Sequence, residues 1–350
     1  MSHCERVIPS EAINLVGFSL IEPSDGMHLF SPTWLNVWEA SLHQKAAIKT
    51  GRKKWMLKRF GVDGALLPAQ AIRKTHYRDW LNSLSDASEQ AMAQLGKKGI
   101  FRLRNEKNVL LYVDSWGETS VFEGVNSWRD SLSVDILPKN IVRDYGIKDF
   151  TGKIRGERNG LMNALKTAQD CLNNQLADNV IICGLFRSFP VLVFSEIAGL
   201  KACRGGRQDT HCQFSIERIG CLILKKAPGQ GIALNISDYF QLPATLNEAV
   251  QELNVRWQDY IGTNTHHIFS VAPPSKALRQ LQHQAFETLP SQIESQILNE
   301  YYGDSGCLNP ALAWQYLRNN GSKPGHSLLN VLDGEGGVWL LENWSQGEQK

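Results

Sequence analysis

Nowhere in this sequence do apolar residues run uninterrupted for the roughly 18 positions that a membrane helix needs. The most apolar stretch near the start, Ile13 to Ile21, is broken by Asn14, Gly17 and Ser19. The opening MSHCERVIPS has neither the basic region nor the apolar core of a secretory leader, so a cytoplasmic protein without membrane insertion is expected. Charge of one sign is also scarce. The 37 Lys and Arg against 35 Asp and Glu leave a net +2, so the bulk field draws in neither nucleic acid nor a membrane surface. The 7 cysteines are odd in number and have no scaffold spacing. Cys183 and Cys221 sit inside apolar runs, which reads as reduced, mostly buried thiols. His211 and Cys212, with Cys203 upstream, have no second close pair beside them, so no metal is expected. Gly205-Gly206 and Gly334–Gly337 lack the Lys-Ser/Thr ending of a P-loop, so no nucleotide cofactor is expected either.

What is present is ordinary globular material: 350 residues, 42% hydrophobic, with no low-complexity tract or Gly/Ser linker. Short Val/Ile/Leu-rich runs predict strands at Ile13–Ile21, Val109–Val113, Val180–Leu185, Ile219–Leu224, Leu328–Leu332 and Val338–Leu341. Between them, helical spacing predicts helices over about Trp34–Ser41, Ala69–Leu84, Asp86–Leu95, Gly160–Leu176, Thr245–Gln258, Lys276–Glu287, Ser291–Glu300 and Pro310–Asn319. Strands alternating with helices predict a layered α/β fold over residues 1–350 as one domain. Its two pseudo-halves span about 11–226 and 230–345. The basic run Lys45, Lys49, Arg52, Lys53, Lys54, Lys58 and Arg59, with Trp55 and Phe60 interleaved, reads as a solvated face rather than a phosphate or acidic-protein contact.

Four stretches, in this order, resemble the β-ketoacyl synthase branch of the thiolase-like superfamily. INLVGFSLIEPSDG (Ile13–Gly26) is similar to the opening strand and turn. GERNGLMNALKTAQDCL followed by VIICGL is similar to the nucleophile turn, its buried helix and the central strand after it. IERIGCLILKK (Ile216–Lys226) is similar to the strand that ends the first half, with Glu217 at the matching acid. GDSGCLNPAL and LDGEGGVWLLEN are similar to the second-histidine turn and the closing Gly-Phe-Gly-Gly strand. The resemblance implies the α-β-α-β-α thiolase-like layering.

It also implies where chemistry would sit. The family's nucleophilic cysteine stands at a turn before a buried helix, where the positive helix end favours thiolate. Counting back from Leu165 puts Arg158 at that position; a slip of one residue gives Glu157 or Asn159. Arginine is permanently protonated and has no lone pair to give. Cys171 is more than three helical turns on, about 20 Å at 1.5 Å per residue. The two imidazole positions, which should stabilise the developing oxyanion, fall on Ile261 and Asp304. His266 and His267 follow Ile261 closely enough that another alignment brings one of them back. Glu335 stands at the gating phenylalanine position, a charge where an acyl chain should pass. Arg158, Glu157 and Asp304 read either as an ion pair filling a vacated site or as a new charged catalytic set, the former favoured. Cys307 and His266 are the fallback candidates for relocated chemistry.

No catalytic residue is therefore assigned. The resemblance implies a non-catalytic, protein-binding or stabilising accessory subunit, paired as a homodimer or with a second thiolase-fold chain through the strand around Val180–Leu185. Proteins resembling degenerate ketosynthases also occur beside bacterial secretion-effector systems, where a cargo or effector protein is the expected partner. The alternatives are an acyl-thioester-processing transferase of the β-ketoacyl synthase type and the inactive partner subunit of a ketosynthase heterodimer.

Overall fold

Alternation along single strands shows how the molecule is layered. In Asn108–Ser115, Val109, Leu111 and Val113 join one core cluster while Leu110 and Tyr112 join another. In Asn179–Phe186, Val180 and Ile182 face the first cluster, and Ile181, Cys183 and Leu185 the second. Successive side chains of a strand point to opposite faces, so these strands are covered on both sides.

The computed structural model describes residues 5–24, 26–29, 37–60, 77–115, 139–148, 150–155, 158–188, 193–194, 197–198, 209–320 and 324–345. Glu157, Cys203 and Gly205-Gly206 lie outside them, as do the side chains of His211 and Cys212. The first half runs β1 (Ile13–Ile21), β2 (His28–Leu29), α1 (Val37–Thr50), β3 (Arg52–Lys58), α2 (Tyr77–Ala93) and α3 (Gly96–Asn105). It continues with β4 (Asn108–Ser115), α4 (Lys139–Asp144), β5 (Phe150–Arg155), α5 (Gly160–Asn173), β6 (Asn179–Phe186), β7 (Asp209–Ile216) and β8 (Arg218–Lys226). The second half runs β9 (Ile232–Gln241), α6 (Leu246–Tyr260), β10 (Thr265–Val271), α7 (Lys276–Phe286) and β11 (Glu294–Ile297). It ends with α8 (Leu298–Tyr302), a 3₁₀ turn at Gly306–Leu308, α9 (Ala311–Asn319), β12 (Gly325–Leu332) and β13 (Gly337–Ser345).

Ten strands form one sheet in the order β11-β10-β12-β13-β9-β1-β8-β6-β4-β5, while β2-β3-β7 form a separate small sheet. The long sheet is one pattern written twice. Parallel β5-β4-β6 followed by antiparallel β8 and β1 is matched by parallel β11-β10-β12 followed by antiparallel β13 and β9. The two patterns meet where Ile13, Asn14 and Leu15 of β1 pair with Leu234, Ala233 and Ile232 of β9. Helices α5 and α9 immediately precede β6 and β12, the matching strands of the two patterns. Leu161, Leu165, Ala168 and Leu172 of α5 share a core with Leu312, Trp314 and Leu317 of α9 and with strand residues of both halves. Outer helices cover the other faces: Leu84, Ala87 and Ala91 of α2 over the first half, and Leu253, Trp257, Leu281 and Ala285 of α6 and α7 over the second. The layers are therefore α-β-α-β-α.

Strand β1 and helix α2 approach so closely at Gly17 that a Cβ there would lie 2.5 Å from the Ala91 carbonyl oxygen. Backbone cannot retreat as a side chain can, so Gly17→Ala should cost about 1–3 kcal/mol, read from the shift in denaturant midpoint.

Three expectations need correcting. Residues 294–297 are a strand, not part of a helix, because pairing with β10 at the sheet edge outweighs the local helical spacing. The basic run is helix end plus strand, and although Lys45 and Lys54 are exposed, Arg52, Trp55, Arg59 and Phe60 are buried, so only part of it is a solvated face. Strand β6 is interior, hydrogen-bonded to β4 and β8, and has no free side with which to pair a second chain. Among the described residues the ends of the long sheet are β5 and β11. No described helix is long and apolar enough to cross a membrane.

Candidate functional site

Arg158 stands immediately before α5, at the positive end of the helix, where a second positive charge is unfavourable. A carboxylate is brought to it from 146 residues away. Arg158 Nη1 donates to Asp304 Oδ1 at 2.5 Å and Nη2 to Oδ2 at 3.0 Å, a bidentate pair with side chains 6% and 1% exposed. Asn309 Nδ2 also donates to Asp304 Oδ1, at 2.7 Å, and its own Oδ1 accepts from the Ser305 amide at 2.7 Å. The turn carrying Asp304 is held like a strand against β7. The Asp304 amide donates to the Phe214 carbonyl at 2.9 Å, and the Ile216 amide donates to the Asp304 carbonyl at 2.8 Å. Gly303 makes this approach possible: its φ is +82°, and a Cβ would meet Ile216 Cδ1 at 2.6 Å.

Two further buried ion clusters flank the pair. Glu217 accepts from Arg59 Nε at 3.2 Å, Arg187 Nε at 3.1 Å, and the Phe60 and Ser188 amides at 2.8 and 3.1 Å. Burial alone would raise the Glu217 carboxyl, but Arg187, Arg59 and the amide donors outweigh it and hold its pKa below the ordinary value. Arg218 donates to Glu22 Oε1 from Nε and Nη2, to the Gly303 carbonyl at 3.0 Å and to Ser305 Oγ at 2.5 Å. Burial pulls the Arg218 guanidinium below its ordinary pKa, against the opposing field of Glu22. The closing turn reaches the same place through Asp333. Its Oδ2 accepts from Asn159 Nδ2 and Tyr239 OH, each at 3.1 Å, and its Oδ1 accepts from the Glu335 and Gly337 amides.

The structure thus unites Arg158, Asn159, Asp304 and the Glu335 turn, with Glu335 itself exposed. It does not bring Ile261 or His266 there. Asp333, at the C-terminal end of β12, touches Asn159, and β10 runs parallel to β12. Ile261 and His266 lie at the N-terminal end of β10, roughly 20 Å along the strand at 3.3 Å per residue. Their placement at the first imidazole position is corrected accordingly. The segment that does leave the near end of β10 is Ala272-Pro273-Pro274-Ser275, without an imidazole. The cavity between it and Gln213 of β7 measures about 10 Å³, room for one water and not for an acyl chain.

Cys307 is fully buried, against Gly160 and the Leu185 carbonyl. Cys171 is a free thiol in the last turn of α5, its pKa raised by burial and then by Asp170. No group of described residues has the makings of a metal site. Sequence reasoning passed over Arg218 with Glu22, Asn309, and the arginines around Glu217. The available signal was the adjacent Glu217-Arg218 within a run otherwise reading as a buried strand, since buried charges require partners.

No protein-family model matches this chain, and no curated protein matches it. Solved structures do. A Glu-to-Gln variant of OleA from Xanthomonas campestris superposes with a TM-score of 0.58 at 9% identity, over 97% of this chain and 100% of that one. A Cys-to-Ala variant of the same protein gives 0.57 at 9% identity, over 97% and 98%. A Cys-to-Ser variant with bound lauric acid and lauroyl-CoA gives 0.55 at 10%, over 96% and 100%.

The chain has the thiolase-like fold. The likeness to OleA spans nearly the whole of both chains. At such identity it speaks to thiolase-like architecture, and the chemistry rests on this chain's own residues.

Proposed function

We propose that this chain is a non-catalytic thiolase-fold protein that binds or stabilises another protein chain. The observation that carries the reading is the sealed, bidentate Arg158–Asp304 pair at the mouth of α5. A thioester needs a nucleophile with a lone pair, and a guanidinium offers none. A carboxylate beside it would oppose an oxyanion rather than stabilise it. Neither Cys171 nor Cys307 is placed to substitute, one at the far end of the helix and the other enclosed in the core.

The partner we place with it is a second copy, another thiolase-fold chain, or a cargo or effector protein of a bacterial secretion system. Lauroyl-CoA, found on an OleA variant, is the fitting probe of the catalytic half of this reading. After incubation, intact-mass spectrometry should show the unmodified chain, whereas an acyl adduct on any cysteine overturns the proposal. Affinity capture from the native host, with identification of the bound chain, tests the binding half. A chain that stays monomeric and captures nothing would end that half.

A further inference from the structure

At the end of the sheet away from Arg158, a buried carboxylate takes no part in anything described so far. Glu342 of β13 is 1% exposed. Its Oε2 accepts from Asn235 Nδ2 and Ser237 Oγ, each at 3.0 Å. Its Oε1 accepts from Arg6 Nη2 at 2.5 Å and Nε at 3.1 Å, with His326 Nε2 at 3.4 Å. The Arg6 guanidinium also lies 5.3 Å from the centre of the Tyr260 ring, whose hydroxyl is anchored on Asp238 at 2.6 Å. The backbone of Arg6 is read separately. Its amide donates to Asn264 Oδ1 at 2.9 Å, and Asn264 Nδ2 donates back to its carbonyl at 3.0 Å.

We propose that this pit is a receptor for an arginine in an extended peptide segment, held in cis by Arg6 and open to the arginine of a partner chain in exchange. A carboxylate, an aromatic face and a main-chain-reading amide are the three elements such recognition needs. The arm that fills the pit lies outside the helices and strands. Residues 5–9 form neither helix nor strand, Val7 is 77% exposed, and the arm's described backbone bonds at Arg6 go to one side chain rather than to a sheet ladder. Departure without replacement would leave Glu342 charged and buried, so the pit favours trading one guanidinium for another over standing empty. Lysine, with one nitrogen, cannot supply both the Nε and Nη contacts. This inference stands apart from the state of Arg158, which lies at the opposite end of β12.

The test uses the full chain and a fluorescein-labelled, C-amidated Glu-Arg-Val-Ile peptide, matching residues 5–8, followed by fluorescence polarisation. Arg6→Ala should bind this peptide at least about tenfold more tightly than the unmodified protein. Replacing the peptide's arginine by lysine or alanine should remove that gain. Glu342→Gln placed on Arg6→Ala should do the same, and Asn264→Ala, which leaves the buried carboxylate in place, should weaken binding as well. A folded Arg6→Ala protein that does not bind, or that binds the alanine peptide equally, overturns the proposal. So does an Arg6→Ala chain that fails to fold, because a pit that tolerates no exchange is a strut and not a receptor.

Discussion

Replacing Asp304 by alanine should lower the unfolding free energy by about 3–5 kcal/mol, measured by denaturant titration at neutral pH. The substitution removes the bidentate partner of a guanidinium that is 6% exposed, leaving a charge in the protein interior with the helix dipole against it. Asn309 loses its acceptor in the same step. The informative comparison is Arg158→Met with Asp304→Leu. Removing both charges in favour of apolar groups of similar size should cost far less than removing one, and the double-mutant cycle should show strong coupling. A loss below about 1 kcal/mol for Asp304→Ala would place the pair among exposed ion pairs of little consequence. It would also count against the proposed plugging of the site at the mouth of α5.

The second large effect is expected at Glu217. Glu217→Ala strips the shared acceptor from Arg59, Arg187 and two backbone amides, a loss of about 3–5 kcal/mol by the same reasoning. Glu217→Gln keeps the shape and separates charge from packing. The carboxyl titrates lower in the folded protein than its ordinary value of 4.5. Its contribution is therefore fully present above that value and is lost as pH falls through the folded value. Unfolding titrations at a series of acidic pH values should show the unmodified protein losing stability below about pH 4.5. The glutamine variant, weaker at neutral pH, should lose less over the same window. An identical acid response in both would assign the loss to other groups, of which Glu342, also held below its ordinary value, is the first to examine.

Much of the architecture could be read from residues because it rests on short-range pattern. Val180–Leu185 and Ile219–Leu224 are near-continuous apolar runs, and strands buried on both faces demand that. Strands β3, β7 and β10 were missed for the converse reason. Arg52-Lys53-Lys54, Thr210-His211 and His266-His267 put charge or imidazole on strands, and local composition then argues against them. The site divides in the same way. Arg158 and Asp304 were each found by local resemblance, since each sits in a turn whose glycines and flanking helix survive. That they touch is a long-range fact that no window of sequence contains. Ile261 was misplaced because it was set by local resemblance alone, whereas the direction of β10 decides which end of a strand faces α5.

The short seam between β1 and β9 carries a consequence for how the molecule is made. Strand β1 is synthesised well before its register partners, β8, ending at Lys226, and β9. The centre of the sheet must wait while about 200 further residues are synthesised, a sequence separation that makes assembly slow. During that interval β1 is an apolar ribbon with both edges unsatisfied, open to pairing with a neighbouring nascent chain. Its yield in the cell should therefore depend on a holding chaperone more than its final stability would suggest.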